Sequence, residues 1–241
     1  MMKTKLTLLL LIGITLLLNS GCEPVVEKSE LNFRNDIFYS VNSDIPYTGR
    51  IVSYHENGQL SESGNYIDGI IEGSFVTYYE NGQVNDTRSF KKRKLDGLSE
   101  SYYENGQLEF SGNYKDGNRV GLHESYLKNG QLFTSGHYKD DKPDGLSVSY
   151  YENGQLQYSG NYKEGERNGL TEYYRKNGQL KASRNYKDGE LEGLSEEYYK
   201  NGQLYRTGNF EDGKKHGVWK YYHKDGKYRR KENYENGKRI Y

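Results

Sequence analysis

The sequence predicts an all-β protein: an elongated single-layer sheet of about eight antiparallel β-hairpin repeats, each 24 residues long. Three observations support this prediction. An Asn-Gly or Asp-Gly pair recurs every 24 residues, and a strict period of this size is typical of repeat architectures. The 241 residues include 26 Tyr and 29 Gly, which suit strands and turns. No apolar pattern with a helical period follows Leu18.

The repeat is most regular around its Asn-Gly pair. Gly always lies eight residues before this pair, Tyr always three residues before it, and an aromatic residue always nine after it. With strands about 4.8 Å apart, eight such units would form a sheet about 80 Å long. The pairs begin at Asn57, Asn81, Asn105, Asn129, Asn153, Asn177, Asn201 and Asp225.

Asn-Gly between short Tyr-, Ser- and Thr-rich segments is a strong hairpin signal. In the third copy we expect a three-residue loop at 104–106, with Gly106 in the left-handed region as a bulge. This register pairs Tyr102 with Leu108 and places Leu98 opposite Gly112, so that Tyr102 and Tyr114 share one packed face. The other face would then be polar. It would carry Ser99, Ser101, Tyr103, Gln107, Glu109, Ser111 and Asn113.

A second turn closes each unit around a pair such as Asp116-Gly117. Arg93 and Asp141 stand where this turn has Gly in other copies, so we expect different local turns there. A Gly in the middle of the second strand is also replaced in three copies, by Arg88, Arg184 and Glu232.

The N-terminal residues have the pattern of a lipoprotein signal peptide, which we assign to residues 1–21. Two lysines precede the apolar run Leu6 to Leu18, which is too short to span a bilayer. The only cysteine, Cys22, follows directly and is the predicted lipidation site; a plain signal peptide with an incidental Cys is the alternative. We expect a tether at 22–31, an N-terminal capping hairpin at 32–48 and the repeat domain at 49–241.

Catalytic and metal-binding patterns are missing from the sequence. One Cys excludes an internal disulfide and a cysteine-ligated metal site. The five His are scattered over different repeat positions without metal-ligand spacing. The serines return at fixed repeat positions, as expected for a strand surface. We therefore predict no enzyme activity, no cofactor and no metal.

Two groups of residues are candidates for binding. Residues 214–241 carry ten Lys and Arg against three acidic residues, which indicates either protection of the sheet edge or an anion-binding tip. Tyrosines on the polar face favour contact with a partner or simply reflect β-propensity. The candidate tip is Lys227, Arg229, Arg230 and Lys231, and the candidate interaction surface is Tyr79, Tyr103, Tyr151 and Tyr199.

Units of the form G-x-x-x-x-Y-Y-E-N-G-Q-L-x-x-x-G-N-Y-K-D-G resemble the bacterial variant of the MORN repeat (membrane occupation and recognition nexus). The segment 212–219, DGKKHGVW, is the most similar to the usual form of the repeat. The resemblance covers about residues 46–241. It implies a β-hairpin repeat that acts as an interaction or spacing surface without catalytic residues. Some members of the variant family are labelled as antitoxins.

Together these observations predict a non-catalytic repeat lipoprotein of the bacterial cell envelope that acts as a scaffold or protein-interaction module. The expected partners are an unidentified protein and the membrane, reached through the lipid on Cys22. A cell-wall or glycan-binding role and an antitoxin-type role stay open as alternatives. We do not expect nucleic-acid binding, and we expect a monomer.

Overall fold

A computed structural model describes residues 24–240, so the predicted signal peptide and Cys22 lie outside the described residues. Eighteen strands form one long sheet, and two further strands form a separate hairpin. The predicted fold class is confirmed. The strands are β1 Val25–Glu27, β2 Leu31–Arg34, β3 Ile37–Ser40, β4 Gly49–Tyr54, β5 Leu60–Ile67, β6 Ile70–Tyr78, β7 Val84–Lys91, β8 Lys94–Tyr102, β9 Leu108–Lys115, β10 Asn118–Tyr126, β11 Leu132–Lys139, β12 Lys142–Tyr150, β13 Leu156–Lys163, β14 Glu166–Tyr174, β15 Leu180–Lys187, β16 Glu190–Tyr198, β17 Leu204–Glu211, β18 Lys214–Tyr222, β19 Tyr228–Glu235 and β20 Lys238–Ile240.

From β4 to β20 each strand pairs antiparallel with the next one along the chain. Repeats one to eight are the successive hairpins β4–β5, β6–β7, β8–β9, β10–β11, β12–β13, β14–β15, β16–β17 and β18–β19. All Asn-Gly turns therefore lie along one long edge of the sheet, and the second turns lie along the other.

The N-terminal end of the sheet carries the apolar core of the molecule. Val25–Glu27, inside the segment predicted as a tether, instead pair parallel with β4 and extend the sheet. The hairpin β2–β3 begins at Leu31, one residue before the segment predicted as a cap, and otherwise lies within it. Its Phe38 packs edge-on against Tyr66, with ring centroids 5.3 Å apart, and forms a buried cluster with Tyr47 and Ile51.

The Asn-Gly turn has the predicted three-residue loop. In repeat three the Tyr103 amide donates to the Gln107 carbonyl at 2.8 Å, and the Gly106 amide donates to the Tyr103 carbonyl at 2.8 Å. Gly106 has φ of 82°, a conformation that costs glycine little. Tyr102 pairs with Leu108, so the predicted loop and its first pair are confirmed.

The predicted register is wrong beyond this first pair. It shifts between Ser101 and Tyr102, because β9 contains one extra residue at a β-bulge, and Leu98 therefore pairs with Asn113 instead of Gly112. A shift of one residue reverses which face each side chain occupies. Tyr114 consequently lies on the same face as Ser99, and Tyr102 lies on the opposite face.

A second irregularity explains the Gly that returns eight residues before each Asn. In repeat four, Val120 pairs with Asn113 and His123 pairs with Gly112, so two residues bulge out between them. Gly121 lies in this bulge with φ of 68°, and the equivalent Gly has positive φ in all eight repeats. A side chain is strongly disfavoured in that conformation.

The second turn is a two-residue turn in which both residues have positive φ, as in a type I′ turn. Asp116 and Gly117 have φ of 50° and 92°. Arg93 and Asp141 adopt the same conformation, with φ of 68° and 65°. The expectation of different turns in those repeats is therefore wrong: the neighbouring strands impose the same backbone even without Gly.

The two faces of the sheet differ in burial. The inner face, which carries Ser99 and Tyr114, includes side chains almost without exposure, such as Thr171 at 0% and Trp219 at 1%. The hairpin β2–β3 packs on this face at repeat one. Beyond repeat one no other described strand covers it, so the burial there arises from neighbouring side chains of the sheet itself. The outer face carries a row of aliphatic residues that are 39–47% exposed. This row is Leu98, Leu122, Leu146, Leu170, Leu194 and Val218.

Candidate interaction groove

The inner face is a groove bordered by two rows of side chains. The row near the second turns is aromatic in every repeat. The row near the Asn-Gly turns includes the four tyrosines predicted as an interaction surface. The first row is Tyr66, Phe90, Tyr114, Tyr138, Tyr162, Tyr186, Phe210 and Tyr234.

The four predicted tyrosines link neighbouring repeats. The Tyr103 hydroxyl donates to the Tyr126 carbonyl of the next repeat at 2.7 Å. The hydroxyls of Tyr79, Tyr151 and Tyr199 make the same bond at 2.6, 2.9 and 3.0 Å. The structure therefore gives these hydroxyls a role in stacking the repeats. Contact between their rings and a partner stays a prediction.

The turns are linked in the same way. The Asn105 side-chain carbonyl accepts from the Gln107 amide at 3.1 Å, and its amide donates to the Lys128 carbonyl of the next turn at 3.1 Å. Equivalent bonds between turns occur at Asn57, Asn81, Asn153 and Asn201.

The middle of the groove holds a cavity of about 390 Å³ around His123. The imidazole lies 5.2 Å from the Tyr114 ring and 5.1 Å from the Tyr138 ring, and its Nε2 is 2.8 Å from the Asn113 carbonyl. Burial lowers the pKa of His123, which favours the neutral imidazole. Arg119 covers the Tyr138 ring at 4.2 Å and forms an ion pair with Asp141 at 3.1 Å.

Toward the C-terminus the groove becomes cationic. In repeats six and seven, Arg184 and Arg206 both contact one carboxylate, that of Glu197, at 3.1 and 2.7 Å. Burial opposes ionisation of Glu197, but the hydrogen bonds from Arg206 and Arg184 outweigh it and lower its pKa. The two arginine side chains keep 34% and 30% of their surface exposed.

Repeat eight has a second cluster of the same kind. Glu232 accepts from Arg230 Nε at 3.0 Å, from Arg239 Nη1 at 3.4 Å and from the Tyr234 hydroxyl at 2.9 Å. Burial opposes ionisation, but hydrogen bonds from Tyr234, Arg230 and Tyr221 lower the pKa of Glu232 to about 2. This carboxylate is therefore ionised at neutral pH and shared by two guanidinium groups.

Two further cations of this region have no carboxylate within 4.0 Å among residues 24–240. Arg167 lies over the Tyr186 ring at 5.3 Å. Lys215 lies over the Trp219 ring at 4.4 Å and over the Tyr234 ring at 4.7 Å. Cation–π contacts of this kind stabilise a charge without neutralising it.

The predicted anion-binding tip does not form one cluster. Arg230 points to the inner face, where it covers the Tyr221 ring at 4.3 Å. Lys231 pairs with Lys220 on the outer face, and Lys227 lies in the last Asn-Gly-type turn, 3.6 Å from Asp225. Arg229 is exposed in β19.

Sequence reasoning missed the inner cations, Arg167, Arg184, Arg206 and Lys215. Their common signal is a repeat position on the inner face, which can be recognised only when both bulges are placed correctly. Arg184 was the most recognisable of these cations in the sequence, because it replaces a Gly of the repeat.

In the part of the chain that the structure describes, no three His, Cys, Asp or Glu side chains are grouped to hold a metal ion. The same residues include no helix with the length and apolar character needed to cross a membrane.

Comparison with protein families agrees with the repeat boundaries. Eight segments match the model described as MORN repeat variant, at 47–68, 71–92, 95–116, 119–140, 143–164, 167–188, 191–212 and 215–236. The chain belongs to the MORN repeat variant family. Each MORN segment begins at an inner-face residue, such as Arg119, and ends at the first residue of a second turn, such as Asp140. A comparison with curated proteins finds no relative of this chain.

Proposed function

We propose that this MORN repeat protein is a non-catalytic scaffold of the bacterial cell envelope that binds another protein in its inner groove. The observation that carries the proposal is the groove itself. It combines a continuous aromatic row with cations whose side chains keep about a third of their surface exposed. Tyrosine, tryptophan and arginine are also the side chains that contribute most to protein–protein interfaces.

The hydrogen bonds of the groove support a binding role over a catalytic one. His123 is the only histidine in the cavity, and it contacts aromatic rings and a backbone carbonyl. The nearby Ser125 hydroxyl is engaged with the Thr134 hydroxyl at 2.6 Å. A nucleophile needs a base within hydrogen-bond reach, and these contacts occupy the hydroxyl and the imidazole in other ways.

Lipidation at Cys22 would place the groove close to a membrane. The chain is fixed from Pro24 onward, because the Pro24 carbonyl accepts from the Arg50 amide at 2.8 Å and from the Tyr47 hydroxyl at 2.8 Å. Only one residue separates Cys22 from Pro24. An anchor on Cys22 would therefore hold the N-terminal end of the sheet within about 10 Å of the lipid surface.

The test is co-purification of partners from membranes. The full chain and its Cys22→Ala variant are expressed with an affinity tag, labelled with palmitate and isolated from membrane and soluble fractions. We expect label, membrane association and a co-purifying protein for the parent, and loss of label and membrane association for Cys22→Ala. A parent chain without label, found in the soluble fraction and without a partner, would contradict the proposal.

The two alternatives have less support from the described contacts. A glycan-binding groove usually offers an exposed indole for sugar stacking, but Trp219 is 1% exposed. A pull-down with cell-wall material tests this role directly. For the antitoxin-type role, the support is the resemblance to family members with that label, and no described contact adds to it.

A further inference from the structure

We propose that repeats six to eight bind an acidic, extended segment of the partner protein, with an acidic side chain at every third residue. This inference rests on the proposed function, because it names the chemistry of the partner that the inner groove would bind.

The first argument is charge. The inner face of repeats six to eight and β20 carries at least seven cations against two carboxylates, a surplus of at least five positive charges. The inner face of repeats one to three carries Glu62, Asp86 and Arg88, and Glu109 lies near the Tyr79 and Tyr103 hydroxyls, so this end of the groove has no positive surplus. The cations include Arg167, Arg175, Arg184, Arg206, Lys215, Arg230 and Arg239, and the carboxylates are Glu197 and Glu232.

The second argument is the environment of these cations. Arg184 and Arg206 are about one-third exposed, and Arg230 is 42% exposed, so their guanidinium groups are reachable but partly desolvated. An ion pair in such a setting is stronger than one on an open surface. Arginine donates two parallel hydrogen bonds to a carboxylate. Arg184 and Arg206 share the single carboxylate of Glu197. An acidic side chain entering the groove would therefore give one of them a carboxylate of its own.

The third argument is spacing. Strands lie about 4.7–4.9 Å apart, so equivalent positions in consecutive repeats are about 9.4–9.8 Å apart along the groove. One turn of an extended polyproline II chain contains three residues and spans about 9.3 Å, so every third side chain points to the same side. In a β-strand, side chains three residues apart point to opposite sides, so the polyproline II conformation is the one that fits. Arg206 and Arg230 occupy equivalent positions in repeats seven and eight, and Arg167 and Lys215 occupy equivalent positions in repeats six and eight. A polyproline II segment with acidic residues at every third position thus matches the spacing of these pairs. About nine residues would cover repeats six to eight.

Binding to synthetic peptides tests the inference. The probe is a fluorescein-labelled 12-residue peptide of Ser and Gly with Asp at every third position, titrated with the full mature chain. We expect saturable binding that weakens with salt, no binding when Lys replaces Asp, and at least about fivefold weaker binding when the same Asp residues are consecutive. Equal binding of the spaced and consecutive peptides would overturn the predicted spacing.

Charge-removing variants locate the site. Arg167→Gln and Lys215→Met should each weaken binding of the spaced peptide about tenfold, the typical effect of losing one charged hydrogen bond. The matched controls are Lys163→Gln and Lys187→Gln, which remove the same charge from exposed outer-face positions near the same repeats. Equal losses in variants and controls would show a general charge effect and overturn the assignment to the groove.

A third variant distinguishes the loss of a binding contact from misfolding, because it is expected to bind more tightly. Glu197→Gln removes the carboxylate that competes for Arg184 and Arg206, so it should tighten binding of the spaced peptide. A misfolded chain would not bind more tightly. Weaker binding by Glu197→Gln with an unchanged far-UV circular dichroism spectrum would contradict the role of these arginines.

The same assay is used to compare the peptide with other anionic ligands. Binding to phosphatidylglycerol vesicles or polyphosphate that exceeds peptide binding, and that Arg167→Gln weakens, would reassign the groove to phosphate and overturn the proposal. If a partner co-purifies from membranes but the peptide does not bind, the acidic-segment inference fails while the proposed function stands. If the peptide binds but no partner co-purifies, the preference of the groove for acidic segments stands while the proposed function fails.

Discussion

On the inner face, the size of a side chain is related to the size of its neighbour on the adjacent strand. Gly208 lies against Trp219, and a Cβ added to it would be 2.4 Å from the indole. In two repeats whose neighbouring residue is Ser, a larger side chain replaces this Gly: Arg88 pairs with Ser99, and Arg184 pairs with Ser195. These replacements, which the sequence marks as departures from the repeat, are thus compensated in volume.

We expect Gly208→Ala to destabilise the C-terminal repeats by about 2 kcal/mol, since the methyl group would overpack against Trp219. Gly208 does not have a positive φ, so backbone strain does not contribute. Gly136→Ala is the matched control, because its Cβ would lie 3.0 Å from the mobile Ser147 hydroxyl. Urea unfolding followed by Trp219 fluorescence measures the first variant, and circular dichroism measures both. Equal effects of the two substitutions would contradict the steric explanation.

Glu232 predicts an acid-sensitive last repeat. Its pKa is about 2 in the folded chain against an ordinary value of 4.5. A lowered folded pKa gives stability that is present above the unfolded pKa and is lost as the pH falls through the folded value. Stability of repeat eight should therefore fall between about pH 4.5 and pH 2.

Glu232→Gln should remove this part of the pH dependence. Trp219 pairs directly with Glu232, so the difference in Trp219 fluorescence unfolding between parent and variant isolates the contribution of this carboxylate. The same acid dependence in both proteins would mean that Glu232 is not responsible.

At the scale of the hairpin, each repeat is held to the next by hydrogen bonds outside the strand ladder. Tyr103 and Asn105 both donate to carbonyl groups of the following repeat. Tyr102 is adjacent to Tyr103 but lies on the outer face, where its hydroxyl donates to Glu100 at 2.8 Å within the same strand. Two consecutive tyrosines thus make different hydrogen bonds: Tyr103 bonds to the next repeat, and Tyr102 bonds within its own repeat.

Tyr103→Phe should destabilise the protein by about 1 kcal/mol, because it leaves a carbonyl of the next repeat without this donor. Tyr102→Phe is the control and should cost less, about 0.5 kcal/mol, since its hydroxyl bonds to a side chain of the same strand and links no repeats. Urea unfolding followed by circular dichroism measures both. A larger effect of Tyr102→Phe would contradict the assignment of inter-repeat bonding to Tyr103.

The turns were predictable from sequence, but the strand register was not. Gly106 gives the loop length, because a three-residue loop requires a left-handed residue at its end. The extra residue in β9 leaves no sequence signal of its own, and it places Tyr114 on the opposite face from Tyr102 and Leu98. The Gly eight residues before each Asn was visible as a regular feature. Its meaning, a bulge with positive φ, appears only in the three-dimensional pairing.

At the scale of the whole molecule, the neutral net charge conceals an uneven distribution. The sequence shows a basic C-terminal end, but it does not show that Lys227 and Lys231 leave the groove while Arg167 and Arg184 enter it. This separation depends on which face each residue occupies, and hence on the two bulges. The candidate groove could therefore be predicted as a tyrosine-bearing surface, whereas its cationic character required the structure.

The central claim is that partners bind the inner face and not the outer one. Tyr173 and Tyr174 test it as a matched pair, because they are consecutive residues on opposite faces: the Tyr173 ring lies 5.4 Å from Tyr158 in the groove, and the Tyr174 hydroxyl donates to Glu172 on the outer face at 2.9 Å. Each is replaced in turn by a photoreactive benzoylphenylalanine in the full chain, and cells are irradiated. We predict a cross-linked protein adduct from position 173 and none from position 174. An adduct from position 174 alone would contradict the claim.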